Sequence, residues 1–344
     1  MIVRRLLAIL ALTYAIGAEV FNRLVGFWAA TAVGLWPTLL LYTTQMLRDP
    51  LAITATLLLV LALLFCIRRS LSLSGAAGVA AIGAFALLLI WLTKAESWEL
   101  IYVVLSLAAA VCAVGQIKER HFEVGRTVAT IAILLTAFWL PRALPTFRLA
   151  DLESMEAQAN SGPTTRDPLL SAETPGGDIP PWAKLARQVG FLRRRFIARY
   201  PAAGSNIDTE VDLRGTGDVI RYFPRAAAIG FFAPFPNMWF ARGVQVGVEG
   251  RLLAGVETLI MYLIIALMAL ALLRHRQNLL AWFLFATGVA GCVALGYVVV
   301  NISCLYRMRY SFFILVIILG AGGAVGLWER AHSHRFGSQA DADA

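Results

Sequence analysis

The feature that most constrains this chain is a series of long apolar runs separated by short polar turns. They lie at 6–21, 25–47, 51–67, 71–93, 98–116, 127–145, 252–273, 279–300 and 311–328. A helix needs about 20 apolar residues to cross a bilayer core, where no backbone polar group can be left unbonded. Composition agrees. Of 344 residues, 59% are hydrophobic and 15% charged, against about a quarter charged in soluble domains. The expected fold class is all-α, a polytopic integral membrane protein of 8–9 transmembrane helices with one large extracytoplasmic loop. The count turns on Leu6–Val20, which is short and ends beside Glu19, so that it either spans or lies at the interface.

Short basic loops set the expected orientation. Arg68 and Arg69, then Lys118, Arg120 and Arg126, then Arg274 and Arg276, then Arg330 and Arg335 fall on one side. The positive-inside rule makes that side cytoplasmic. The other side holds residues 94–99, the region 146–250 and the connection 301–310. If the first run does not span, Arg4, Arg5 and Arg23 join the cytoplasmic side, which makes eight spans the tidier count. The chain then divides into an N-terminal bundle of 5–6 spans (1–145), the loop (146–250), three further spans (251–328) and a cytoplasmic tail (329–344). Ala18-Glu19-Val20 is a poor cleavage site, so no removable signal peptide is expected. Small residues at Ala76, Ala80 and Ala84, and the pair Gly322 and Gly326, suit close helix packing within the bundle or, alternatively, a dimer face.

The loop has three parts. Residues 151–181 are rich in Ser, Thr, Pro and Gly and read as a flexible linker. Residues 182–200 place Trp182, Leu185, Val189, Leu192, Phe196 and Tyr200 on one stripe of a helix. Lys184, Arg187, Arg194 and Arg195 project away from it, with Arg193 and Arg199 flanking. Such a basic amphipathic helix suits an anionic membrane surface, or else packs on the rest of the loop. Residues 202–213 alternate Ile207, Thr209, Val211 and Leu213, which reads as an extended segment with Asp208, Glu210 and Asp212 on one side. Residues 217–240 then run from Asp218, Arg221 and Arg225 into the uncharged 226–232 and the rigid Ala233-Pro234-Phe235-Pro236. Asp218, Arg221 and Arg225 share a helix face, and Pro224 either kinks that helix or begins a new one. The order suggests a segment lying along the bilayer surface or dipping into it, with two arginines at headgroup level.

Two further features stand out. Glu257 lies inside an apolar run, where a carboxylate costs roughly 2.5–3.5 kcal/mol on insertion scales, so it is a functional candidate unless it pairs with Arg251. Arg307 and Arg309 sit at a helix junction on the outer side, against the usual charge bias. All four histidines, His121, His275, His332 and His334, fall on the cytoplasmic side, so no Cys–His or Ser–His–Asp set forms outside. The four cysteines are scattered, and neither a metal site nor a cofactor is expected. No nucleotide-binding fingerprint and no nucleic-acid motif is present. The outer side does carry arginines, which hold diphosphates in bidentate fashion, and carboxylates able to act as general bases.

The run Ala203-Gly204-Ser205-Asn206-Ile207-Asp208, then Asp218-Val219-Ile220-Arg221-Tyr222-Phe223-Pro224-Arg225, then Phe232-Ala233-Pro234-Phe235-Pro236 resembles the extracytoplasmic segment of polytopic proteins among bacterial surface-polysaccharide enzymes. Tyr306-Arg307-Met308-Arg309-Tyr310 before the last span is similar to theirs. The late large loop also resembles the layout of O-antigen polymerases and ligases. The chain departs from the ligase pattern in having no outer-face histidine. It also lacks the long acidic first outer loop of many-span glycosyltransferases that use lipid-phosphate sugars. The resemblance implies an inner-membrane protein of surface or exopolysaccharide assembly, C-terminus cytoplasmic, that transfers or polymerises a polyprenyl-diphosphate-linked glycan at the periplasmic face. Its expected partners are membrane lipid, the lipid-linked glycan and other polysaccharide-assembly proteins. On that expectation Arg221, Arg225, Arg307 and Arg309 hold the diphosphate or headgroup, and Asp208, Asp218 and Glu257 supply the carboxylate. Two alternatives stand beside it: a non-catalytic scaffold, and a lipid or glycan transporter, which calls for broken helices and charges at the bilayer midplane.

Overall fold

The computed structural model describes residues 2–44, 48–95, 98–119, 122–144, 180–199, 201, 204–240 and 247–340. The expected linker 151–181 lies almost wholly outside them. The described residues form helices: α1 Ile2–Val20, α2 Arg23–Gly34, α3 Pro37–Thr44, α4 Asp49–Arg68, α5 Leu73–Lys94, α6 Trp98–Glu119, α7 Val124–Ala143, α8 Pro181–Arg199, α9 Thr216–Phe232, α10 Gly247–Arg274, α11 Leu279–Val298, α12 Ile302–Met308 and α13 Tyr310–Ala340. Seven of them (α4–α7, α10, α11 and α13) are long and apolar enough to cross a membrane.

Short polar connections turn each helix back on the one before. Side chains close the turns: Asn22, Ser72, Asn278 and Asn301 each accept from a backbone N–H of the helix they start. The turns gather at two ends of the bundle. At one end Arg69 pairs with Glu19 at 2.6 Å, and Arg68 donates to the Glu19 carbonyl. Arg126 bonds the carbonyls of Arg68 and Arg69 and pairs with Glu119 and Glu123. Asn278 reaches the Val20 carbonyl there as well. At the opposite end Lys94 pairs with Asp49 at 3.0 Å, and α8 and α9 cover the helix termini.

The first apolar runs differ from the sequence reading in one respect. Residues 25–47 do not form one span. They break at Leu35–Trp36 into α2, of 12 residues, and α3, of 8, which at ~1.5 Å per residue are about 18 Å and 12 Å long. The break coincides with Pro37, which has no N–H to donate and disfavours a helical residue before it. α1 and α2 form a tight hairpin: a Cβ on Gly26 would lie 2.5 Å from the Tyr14 carbonyl oxygen, and one on Gly17 would lie 2.8 Å from the Gly26 Cα. Because Glu19 meets Arg69, α1 ends at the basic end of the bundle. Arg4 and Arg5 therefore start at its far end, away from Arg68, Arg69 and Arg126, and only Arg23 joins that cluster.

Two apolar cores result. The larger runs through α1–α7, α10, the first part of α11 and α13, and takes in Tyr306 of α12. The smaller joins α8, α9, α11 and α12 and includes Leu213, Tyr222, Ala226, Ile229, Tyr297 and Leu305. Gly322 and Gly326 face Phe21 and Arg274 respectively, so that pair serves packing within the chain.

Candidate functional site

The site is built where the segment 204–240 meets the connection between α11 and α12. Residues 204–213 do not make a strand. They form one isolated antiparallel bridge, Asn206 to Asn301. Ile207 N–H donates to the Val300 carbonyl at 2.9 Å and Ile302 N–H to the Ser205 carbonyl at 3.1 Å. The Asn301 side-chain amide donates to Asn206 Oδ1 at 3.0 Å. The loop is thus stitched to the turn between α11 and α12.

Asp208 follows the seam at φ 53°, the left-handed region that Asp tolerates among non-glycine residues. Its carboxylate accepts from Tyr222 at 2.9 Å and, bidentately, from Arg225 Nε at 2.8 Å and Nη2 at 3.0 Å. The Arg225 guanidinium, opposed by desolvation and helped by the Tyr222 hydroxyl, holds the Asp208 carboxyl below its ordinary range. Arg225 also stacks 5.2 Å from the Phe235 ring centroid. Below the seam lies Arg193, which the sequence placed on the flank of its helix but which is buried. It donates to the carbonyls of Val211, Tyr297 and Asp208 and stacks over the Tyr222 ring at 4.9 Å. One arginine thereby bonds the loop and the end of α11 at once.

Asp218 takes a different place from the one its spacing suggested. It does not pair with Arg221 or Arg225. Its Oδ2 accepts from the backbone of Arg214 and Gly215, both at 3.0 Å, and so starts α9. α9 runs unbroken through Pro224. It lies against α11 with no room for a side chain: a Cβ on Gly230 would lie 2.2 Å from the Cys292 carbonyl oxygen, and one on Gly296 2.0 Å from that of Ala226. The chains run antiparallel there. Since Cys292 is six residues before the end of α11, α9 descends about 9 Å alongside it. Arg221 is exposed on α9 and makes no ion pair among the described residues.

The second part of the site is buried. Glu257 sits two turns into the apolar part of α10 and is almost wholly buried. It does not pair with Arg251, which donates to the Met238 carbonyl. Its Oε1 accepts the backbone N–H of Thr38 at 2.8 Å, and its Oε2 accepts the Thr38 hydroxyl at 2.6 Å and the Tyr306 hydroxyl at 2.5 Å. The Thr38 hydroxyl is shared with Tyr310. The break before α3 thus frees an N–H at a helix N-terminus, and a carboxylate bonds it. Arg309, fully buried, stacks 4.2 Å from the centroid of the same Tyr306 ring. It donates to the Ala233 carbonyl at 2.5 Å and to Met261 Sδ at 3.2 Å, while its Nε has no partner among the described residues. Arg307 lies half-buried on α12, with Nη2 3.7 Å from Cys304 Sγ.

Of the candidates read from sequence, Glu257 and Arg309 share Tyr306, and Arg225 and Asp208 bind each other. Arg225 and Arg309 both reach the Ala233–Pro236 segment, the first through Phe235 and the second through Ala233. Arg221 and Arg307 stand apart from these pairs. Sequence reasoning missed Thr38 and Arg193. Pro37 inside an apolar run was the available signal for Thr38. Arg193 had none, because its neighbours Arg194 and Arg195 are equally basic. No His, Cys, Asp and Glu grouping suited to a metal ion occurs among the described residues. Comparison of the chain with protein-family models, with curated proteins and with solved structures finds no match.

Proposed function

We propose that this chain is an inner-membrane protein of bacterial surface or exopolysaccharide assembly, crossing the bilayer nine times with α1 and the α2–α3 pair as the first two passes. In this reading α8, α9 and the α11–α12 turn face the periplasm and the C-terminus is cytoplasmic. The working edge is the start of α9, which holds the diphosphate of a polyprenyl-linked glycan for transfer or polymerisation. The observation that carries the reading is the arginine pair on a helix that descends into the layer of the spans: Arg221 exposed, and Arg225 with 44% of its side chain exposed beside Phe235. A guanidinium at that height meets phosphate while the aromatic side chains below it meet lipid tails. The test is Arg221→Ala, which disturbs no bond among the described residues. Cells carrying it should make shorter polymer and accumulate lipid-linked repeat. Normal polymer at normal protein level would overturn the proposal.

One observation favours a second reading, transport of the lipid-linked glycan. The α2–α3 break with Glu257 against it is the kind of interrupted segment that transporters place at their binding sites. The two readings part on sidedness: impaired transfer leaves the lipid-linked repeat in the outer leaflet, impaired transport leaves it in the inner one.

A further inference from the structure

The outermost helix, α8, is bonded to the ends of two membrane helices. Gln188 donates to Glu99 Oε1 at 3.2 Å in the first turn of α6, and Arg193 donates to the Tyr297 carbonyl at 2.8 Å in the last turn of α11. Gly190 lies so close to the Leu213 carbonyl oxygen that a Cβ would be 2.0 Å from it. α8 therefore lies at the height where the spans end, which is the height of lipid headgroups. The face it buries carries Ala186, Gly190 and Arg193. That leaves two of the five described residues of the expected apolar stripe uncovered: Trp182 is 63% exposed and Leu185 52%.

Around them the charge has one sign. α8 contains six Lys and Arg and no acid. Arg193 is used internally and Arg194 is matched by Asp212 at 2.8 Å. Lys184, Arg187 and Arg195 are exposed and have no ion pair among the described residues. α9, against which α8 packs, shows the same combination, with Ile220 68% and Phe223 52% exposed on either side of Arg221. Large apolar side chains outside the core need a cover. Trp and Leu beside unpaired cations at headgroup height fit an acidic lipid surface, where the rings enter the interface and the cations meet phosphate.

We propose that α8, through Trp182, Leu185 and the cations Lys184, Arg187 and Arg195, forms a docking surface for acidic phospholipid headgroups of the protein's own bilayer. The surface is independent of any glycan carrier. Each of the three free cations on α8 is expected to raise the preference for acidic over neutral lipid roughly five-fold. The test uses the full chain in vesicles of phosphatidylcholine containing either brominated phosphatidylglycerol or brominated phosphatidylcholine. The emission of Trp182, taken as the difference between wild type and Trp182→Phe, should be quenched more by the acidic brominated lipid. That preference should disappear in the triple variant Lys184→Gln, Arg187→Gln, Arg195→Gln, and in wild type at high salt, which needs no mutation. Equal quenching by both lipids would show a helix on the bilayer without headgroup selectivity, and would overturn the proposal. Absence of quenching by either lipid would show that something other than lipid covers this face, and would overturn it too.

Discussion

At the residue scale the informative groups are the buried charges. Glu257 accepts three hydrogen bonds from Thr38 and Tyr306, and Arg309 stacks on the same Tyr306 ring. Truncation by Glu257→Ala leaves the Thr38 N–H and the Tyr306 hydroxyl without their buried acceptor. Each buried donor left unsatisfied in this way costs about 1–3 kcal/mol, so the two together exceed the cost of any single polar loss here. Glu257→Gln keeps the shape and an acceptor oxygen, and should cost about 1–3 kcal/mol. Thermal unfolding in detergent should rank wild type above Gln and Gln above Ala. An Ala variant as stable as wild type would show that the carboxylate does not hold α3. Asp208 carries a pH dependence. Arg225 first, then Tyr222, depress its folded pKa against desolvation. A depressed carboxyl stabilises the fold fully above its unfolded pKa of about 3.9 and loses that contribution as pH falls through the folded value. Asp208→Asn should therefore lower stability at neutral pH and flatten the decline below about pH 4. Unfolding temperature measured against pH for both proteins checks this.

At the element scale, close backbone approach decides which helices pair. α9 lies on α11 because Gly230 and Gly296 have no Cβ to hold them apart. In Gly230→Val the new side chain meets the Cys292 carbonyl, and the helix must shift. The expected loss is about 1–3 kcal/mol, with faster amide exchange along α9 than along α11. Equal exchange in variant and wild type would contradict the contact. The amphipathic pattern of α8 was legible in the sequence as a helix with an apolar stripe. Which part of the stripe is covered was not: the buried face is turned toward Ala186, Gly190 and Arg193. Small residues and a saturated arginine lie closest to a neighbouring backbone, and hydrophobicity does not rank them. Asp218 gives the same lesson. Helical spacing put it beside Arg221 and Arg225, but its position at the third helical residue bonded it to the free N–H groups of its own helix start.

At the scale of the whole molecule, the all-helical bundle and the gathering of basic turns at one end follow the sequence reading, while seven helices, against the eight or nine spans expected, are each long and apolar enough to cross a membrane. The proposed orientation is tested with an impermeant maleimide on cells. In a Cys304→Ser background, Thr209→Cys should react from outside, and Ser70→Cys only after permeabilisation. The reverse pattern would invert the molecule and remove α8 and α9 from the periplasm. Groups about ninety positions apart in sequence, such as Asp208 and the Asn301 turn, come together only because the loop pairs with that turn through backbone bonds, which side-chain chemistry does not announce.

By itself the sequence determined that the chain is a bundle of membrane helices, where each turns, and which end is basic. These properties come from local sums, of apolar area along about 20 residues and of charge within a few, and no partner is needed to read them. Only the tertiary structure decided that Glu257 bonds the start of a broken helix, that Asp208 rather than Asp218 binds Arg225, and that Arg193 is buried. For Glu257 and Arg193 the partner was chosen by which backbone groups the packing left unbonded, and for Asp208 by where the seam to the Asn301 turn set its carboxylate; both depend on how distant helices meet.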